Sequence, residues 1–131
     1  MPVVSAFYAA LTALVCVVLS ALVIRQRIGK RISIGDGGDP DLSRAARVFG
    51  NFAEYAALVV VLLALAEMLG TPRTWLHIYG TVFVVGRIAH AVGLSYTLRP
   101  NLGRLTGVSA TLAVLIGLAL TLLASTLPRL G

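Results

Sequence analysis

The chain has 131 residues and a formal net charge of +6, and 58% of its residues are hydrophobic while only 12% are charged. Soluble domains carry roughly 25% charged residues, so this composition, with a mean hydropathy of +0.93, excludes an ordinary soluble domain and predicts an integral membrane protein. Because the basic residues flank apolar runs, we attribute the positive charge to topology and lipid contact, and we expect no nucleic-acid partner.

Four apolar stretches predict an all-α membrane four-helix bundle. A helix needs about 20 apolar residues to cross the hydrocarbon core, and the chain accommodates four spans in one domain over 1–131, at about 3–24, 43–69, 75–98 and 105–127. The N-terminus lacks the charged region and cleavage site of a secretory signal, so the first span is expected to remain as an anchor. Cys16, the only cysteine, is predicted to be a packing residue.

A polar segment, SIGDGGDPDLSRAAR, separates the first two spans. Its glycines and proline predict a loop, and Asp41 or Ser43 is expected to cap the helix that follows. Asp36, Asp39 and Asp41 lack the later bidentate glutamate of a calcium loop. We therefore predict no metal site.

The start of the second span carries polar side chains on an apolar helix. Arg47 and Asn51 are separated by four residues and Asn51 and Glu54 by three, so all three share one helical face, with Tyr55 at its margin. An ionisable group at membrane depth costs about 2.5–3.5 kcal/mol on insertion scales, and such groups usually face a bundle interior or a cavity. This face is the first candidate site.

The third span adds a second polar pair. Arg87 and His90 lie three residues apart, near the small residues Gly86 and Gly93, which permit close helix approach. The short loop after this span supplies two more arginines, and Gly103 and Gly107 begin the fourth span with a GxxxG spacing, a weak packing signal.

Basic residues concentrate in the first and third loops and predict the orientation of the chain. The first loop and its flanks hold Arg25, Arg27, Lys30, Arg31, Arg44 and Arg47, the third loop holds Arg99 and Arg104, and the opposite side holds Arg73 and Arg129. The excess of basic residues places both termini on the non-cytoplasmic side. The polar ends of the second and third spans then meet at the cytoplasmic face.

The pattern Arg47-x-x-x-Asn51-x-x-Glu54-Tyr55 in the second of four spans resembles the signature of the MAPEG family, the membrane-associated proteins in eicosanoid and glutathione metabolism. Arg87-x-x-His90 is similar to that family's second motif, and the segment RISIGDGG resembles its bacterial members. The resemblance covers nearly the whole chain. It implies a homotrimer in the bacterial inner membrane, with glutathione bound between subunits and a lipophilic small molecule reaching the thiol from the bilayer.

The resemblance also implies roles for individual residues. Its expected function is a glutathione-dependent membrane transferase or peroxidase, in which an arginine after the third span, Arg104 or Arg99, stabilises the thiolate as the catalytic group. The residues expected to bind glutathione as co-substrate are Arg27, Arg47, Asn51, Glu54, Tyr55, Arg87 and His90, with Tyr96 as a further candidate.

Two departures from the family pattern keep a different function open. The family usually has a proline where this chain has Ala57, and many active members have a tyrosine where this chain has Leu94. The alternative is therefore a non-catalytic lipid-binding scaffold of the same family. A purely structural interpretation also stays open, in which Arg47 and Glu54 form an ion pair within the bundle and Asn51 forms a polar contact between helices. Proton-coupled efflux is disfavoured because the first span contains no carboxylate.

Overall fold

The computed structural model of the chain describes residues 1–96 and 102–130. Within these ranges the chain forms four α-helices and a short 3₁₀ helix, and no β-strand: α1 Val3–Lys30, α2 Pro40–Met68, α3 Arg73–Tyr96, α4 Leu102–Thr126 and the 3₁₀ helix Leu127–Arg129. Each of the four α-helices is long and apolar enough to cross a membrane. The predicted all-α membrane bundle is confirmed.

The second helix begins earlier than the sequence indicated. Its N-cap is Asp39, whose carboxylate accepts hydrogen bonds from the N–H groups of Asp41 and Leu42, and Pro40 occupies the first helical turn. The expectation that Asp41 or Ser43 would cap the helix was wrong. Asp followed by Pro is the favoured pair here, because Asp satisfies the free N–H groups and the fixed φ of Pro suits the first helical position.

The loop between α1 and α2 is tied to both helices. The C-cap of helix α1 is Arg31, which adopts a left-handed conformation with φ of 54° and donates its N–H to the carbonyls of Arg27 and Ile28. Lys30, on the last turn of α1, forms an ion pair with Asp39, the N-cap of α2. These contacts fix the two helix ends relative to each other.

The core of the bundle lies along α2. Phe52, Val59 and Leu63 on α2 are each 1% exposed, and they pack with Phe83 of α3 and Leu118 of α4. In a bilayer the apolar solvent gives no drive for helix association, so close packing and hydrogen bonds must hold the helices together. The many apolar side chains that remain exposed on α1 and α4 suit contact with lipid.

Small residues allow α3 and α4 to approach each other closely. A Cβ placed on Gly107 would lie 2.5 Å from the carbonyl oxygen of Gly86 and 2.6 Å from the Cβ of His90. Only glycine at position 107 allows the two backbones to meet at this distance. The crossing holds the polar residues of α3 at the end of the bundle where α4 begins.

Candidate functional site

The two polar motifs meet through a direct hydrogen bond between α2 and α3. The Arg87 Nη2 donates to Oδ1 of Asn51 over 2.7 Å, although the two residues are 36 positions apart in the chain. Arg87 is only 1% exposed, and among the described residues it has the largest volume of the fully buried side chains. The two motifs therefore meet at one end of the bundle, as the sequence predicted; that they form a common binding site stays a prediction.

The hydrogen-bonding capacity of Arg87 is largely unused. Within the described residues its Nε and Nη1 are buried and have no hydrogen-bond partner, while the rings of Phe52 and Tyr55 lie 5.9 and 5.7 Å from the guanidinium carbon. A buried donor without a partner costs about 1–3 kcal/mol, and more on a charged group, whereas a cation–π contact contributes only about 0.5–2 kcal/mol. The rings do not replace the missing hydrogen bonds.

Asn51 connects this buried cation to an open cavity on the outside of α2. The cavity has a volume of about 460 Å³ and is lined by Ser43, Arg44, Ala46, Arg47, Gly50, Asn51 and Glu54. Both Arg47 and Glu54 are exposed there. A guanidinium, a carboxylate and an amide therefore line one concave surface, and the buried Arg87 lies directly behind the amide.

Of the structural interpretation of the polar face, the ion pair between Arg47 and Glu54 was wrong, whereas the interhelical contact that it gave to Asn51 matches the hydrogen bond from Arg87. In the described part of the chain Arg47 and Glu54 form no ion pair with each other, because seven residues separate them along α2, about 10 Å at a rise of 1.5 Å per residue. Both charges stay available to a ligand or to another protein surface.

His90 is buried and contacts the backbone of α4. Its Nδ1 lies 3.2 Å from the carbonyl oxygen of Arg104, and its Cβ lies beside Gly107 at the crossing of α3 and α4. Histidine Nδ1 commonly donates to such a carbonyl, which fixes the ring orientation. The geometry supports a packing role for His90 and brings the start of α4 next to the site.

Arg27 contacts its own loop. Its Nη1 donates to the carbonyl oxygens of Ser33 and Gly35, over 3.3 and 2.9 Å, so it supports the backbone after α1 and has no contact with Asn51 or Arg87. Arg104 is half-buried on the first turn of α4. Arg99 lies outside the described residues, and so do the side chains of Tyr96 and Leu94, so their predicted roles stay predictions.

A second polar cluster, at the opposite end of α2, was missed by the sequence analysis. Glu67 accepts hydrogen bonds from the N–H groups of Val4 and Ser5, at 2.9 and 2.7 Å, and from the Ser5 hydroxyl at 2.5 Å. The N-cap of α1, Pro2, provides no side-chain hydrogen bond. Glu67 therefore satisfies free N–H groups at the start of α1 and places a negative charge at the positive end of that helix.

A tyrosine strengthens the same end of the bundle. The hydroxyl of Tyr8 lies 3.1 Å from the carbonyl oxygen of His77 and 2.7 Å from the hydroxyl of Thr81, and its ring packs on Gly80, where a Cβ would lie 2.4 Å away. In an antiparallel arrangement the end of α2 lies beside the start of α1. The carboxylate of Glu67 at the end of an apolar helix could therefore have predicted this cluster from the sequence.

Comparisons with known proteins agree with the two motifs. The model of the MAPEG family matches residues 5–124. The inner membrane protein YecN of Escherichia coli strain K12 is 39% identical over 113 residues, which cover 86% of this chain and 85% of that protein, and YecN of E. coli O6:H1 strain CFT073 gives the same values.

Proposed function

The chain belongs to the MAPEG family, and on that premise we propose that it is a glutathione-dependent membrane transferase or peroxidase that acts on lipophilic electrophiles. Its four spans and its similarity to an inner membrane protein make it an integral membrane protein. The observation that carries the proposal is the buried Arg87, which has two nitrogens without hydrogen-bond partners among the described residues and lies behind an amide that lines an open polar cavity.

The chemistry of the cavity suits a zwitterionic thiol peptide. Glutathione has two carboxylates and one ammonium group, and arginine binds carboxylates through paired hydrogen bonds. Arg47 and Glu54 both line the cavity, and in this proposal Arg47 binds one carboxylate and Glu54 binds the ammonium group. The Asn51 amide both donates and accepts, so it can orient the peptide while it keeps its hydrogen bond to Arg87.

A second copy of the chain would close the cavity. Arg47 and Glu54 are exposed on the outer face of α2, and charged groups at this depth are costly unless they face protein or water. We propose that the chain forms a homotrimer in which a neighbouring subunit covers this face. The charged face supports that assembly, because a neighbouring subunit that packs there would shield Arg47 and Glu54 from lipid. A polar cleft would then remain between the subunits.

The chemical step needs little beyond a thiolate and proximity. A free thiol with a pKa near 8.5 is only partly ionised at neutral pH, and a nearby guanidinium favours the thiolate. Arg104, on the first turn of α4 beside the crossing with His90, or Arg99, would supply this charge. The thiolate sulfur then bonds to an electrophilic carbon, whose leaving group departs; alternatively, two glutathione thiols reduce a lipid hydroperoxide to an alcohol and water and form a disulfide.

Calorimetric titration of glutathione into the detergent-purified full chain tests the proposal. Wild type is expected to bind at millimolar or lower concentration and to gain thermal stability, while Arg47→Ala and Glu54→Ala bind at least tenfold more weakly. Arg73→Ala, a basic residue at the start of α3, is the matched control and should bind normally. Absence of both heat and thermal protection in wild type would overturn the proposal.

The non-catalytic lipid-binding scaffold is the second candidate. Helix α2 runs from Pro40 to Met68 and carries Ala57 where the family usually has a proline, so it lacks the residue that would kink the helix there. Turnover of chlorodinitrobenzene or of a lipid hydroperoxide separates the two candidates. Turnover that disappears in an Arg99→Ala and Arg104→Ala double variant excludes the scaffold, and a purified protein that binds lipid but shows no turnover supports it.

A further inference from the structure

A groove follows the outside of α1 where this helix meets α2 and α3. Its apolar part has a volume of about 450 Å³ and is walled by residues such as Leu14 and Val18 of α1 and Ile88 and Val92 of α3. Its polar part has a volume of about 190 Å³ and contains Arg25, Gln26, Asp41 and Arg44. Leu19, Leu22 and Ser95 line both parts, so the groove is continuous.

The length of the groove matches one leaflet of a bilayer. From Leu14 to Arg25 helix α1 rises about 16 Å, at about 1.5 Å per residue. Half of a hydrocarbon core of about 30 Å is about 15 Å. An acyl chain that begins at Arg25 and follows the groove toward Leu14 would therefore end near the middle of the membrane.

The polar part of the groove has unused capacity for an anion. The Nε of Arg44 is buried and has no hydrogen-bond partner among the residues described. Its Nη1 lies 3.5 Å from the carbonyl oxygen of Ser95 and 3.9 Å from the carboxylate of Asp41, both long contacts. Asp41 is also shared with Lys30 at 3.5 Å. Arg44 and the exposed Arg25 therefore offer donors that suit a phosphate.

We propose that this groove binds one anionic phospholipid from the leaflet on the Arg25 side, with its phosphate on Arg25 and Arg44 and one acyl chain between α1 and α3. The occupant is a lipid because the groove combines an apolar wall of one-leaflet length with a cationic end. Arg44 is the only lining residue that the groove shares with the cavity beside Asn51 among the residues described. The proposal does not depend on thiol binding.

Photocrosslinking tests the proposal. The full chain is purified in mixed micelles with phosphatidylglycerol or phosphatidylcholine of identical acyl chains, each carrying a diazirine in the chain, and the labelled peptides are mapped by mass spectrometry. Label is expected on peptides that contain Val18, Leu22 and Val92, at least about fivefold stronger with phosphatidylglycerol. Label spread evenly over the exposed residues of all helices, or equal label from both lipids, would overturn the proposal.

Two pairs of variants identify the parts of the groove. Arg25→Gln combined with Arg44→Gln should reduce the phosphatidylglycerol label about fivefold, while Arg31→Gln, an exposed cation outside the groove, should not. Val92→Trp should fill the apolar part without any change in charge and reduce the label from both lipids. Val85→Trp, two turns away on α3 and half-exposed or more like Val92, should have no such effect.

A second copy of the chain is the competing occupant. In a Cys16→Ala background, Val18→Cys that crosslinks to another copy in high yield, with no lipid label in the groove, would show that a protein surface covers it and would overturn the proposal. Lipid label at Val92 in wild type, together with an uncrosslinked Val18→Cys, supports it. Normal size-exclusion profiles for Val92→Trp and Val85→Trp confirm that both variants are folded.

Discussion

The two ends of helix α2 use their polar groups in opposite ways. At one end Glu67 accepts three hydrogen bonds from the first residues of α1, and its carboxylate is satisfied within the chain. At the other end Arg87 makes one hydrogen bond, to Asn51, and keeps two buried nitrogens without partners in the described residues. A satisfied network stabilises a fold, whereas a buried donor without a partner lowers stability unless something else binds it.

The two ends contain nearly the same types of residue. Both ends contain an ionisable group, a tyrosine and a histidine: Glu67, Tyr8 and His77 at one end, and Arg87, Tyr55 and His90 at the other. In the part of the chain that the structure describes, the second end adjoins a cavity with exposed charges of both signs. The inventory of residue types is nearly the same, so the difference lies in which hydrogen bonds are already made.

The largest expected effect is at the satisfied end. Glu67→Ala removes the hydrogen bonds to Val4 and Ser5 and leaves N–H groups of α1 without partners, so we expect the free energy of unfolding to fall by about 3 kcal/mol. Titration with a denaturing detergent measures this change. Glutathione affinity should not change in the protein that remains folded.

Glu54→Ala is the matched control for that variant. It also removes a carboxylate from α2, but its side chain is exposed, so its effect on unfolding should stay within about 0.5 kcal/mol, while glutathione binding weakens. If both variants lower the stability equally, the two ends of α2 do not differ in the way the structure indicates.

Two close-packed glycines, one at each end of the bundle, test whether the two ends differ in function as well as in stability. Gly80→Ala would place a Cβ 2.4 Å from the Tyr8 ring, and Gly107→Ala would place one 2.5 Å from the Gly86 carbonyl oxygen. Each overpacked contact should cost about 2 kcal/mol. Only Gly107→Ala should also weaken glutathione binding, since it displaces α4 from α3 beside His90. Gly29→Ala, where no atom lies within 4 Å, is the control and should be near neutral; equal losses of affinity in both core variants would contradict the prediction.

Arg87→Met should have opposite effects on stability and binding. A buried charged group whose nitrogens lack hydrogen-bond partners lowers stability, so the free energy of unfolding should stay constant or rise when an apolar group of similar length replaces it. Glutathione affinity should fall at least tenfold, about 1.4 kcal/mol. Parallel calorimetry and detergent unfolding measure the two quantities. A variant that unfolds more readily than wild type would show that Arg87 is a structural group.

Much of the fold and part of the candidate site could be predicted from the sequence. Hydropathy and the length of the apolar runs predicted four membrane helices, because crossing a bilayer imposes both. The spacing of Arg47, Asn51 and Glu54 correctly placed them on one face of α2, since this face depends only on the helical period. The MAPEG pattern was confirmed as family membership by the match over residues 5–124.

The partners of these residues could not be predicted, because they depend on how the helices pack. No local sequence pattern predicts that Arg87 contacts Asn51 or that His90 contacts the carbonyl of Arg104. The same holds for the hydrogen bonds from the first residues of α1 to Glu67. The choice of N-cap failed for a different reason: Asp39, Asp41 and Ser43 are all suitable capping residues, and Pro40 decided in favour of Asp39.

The smallest expected effect is a change of Tm with pH that arises in the loop between α1 and α2. Its residues take no part in the hydrogen bonds of Glu67 or of Arg87. The hydrogen bond from Lys30 holds the pKa of Asp39 below its ordinary value, and the N–H of Leu42 acts in the same direction. A carboxyl group whose pKa is lowered by folding contributes stability above its unfolded value of about 3.9 and loses it as the pH falls through the folded pKa. Thermal unfolding between pH 6 and pH 3 should therefore show a decrease in Tm below about pH 4.

Two variants assign this acid dependence to the pair. Asp39→Asn retains a good N-cap but does not titrate, and Lys30→Met removes the first cause of the lowered pKa, so both should make the decrease in Tm at acid pH shallower. Both should leave glutathione binding at neutral pH unchanged, because neither residue lines the cavity beside Asn51. If Tm falls with decreasing pH as steeply in both variants as in wild type, another group is responsible for the acid dependence. A loss of glutathione binding would show that the loop between α1 and α2 also supports the cavity beside Asn51.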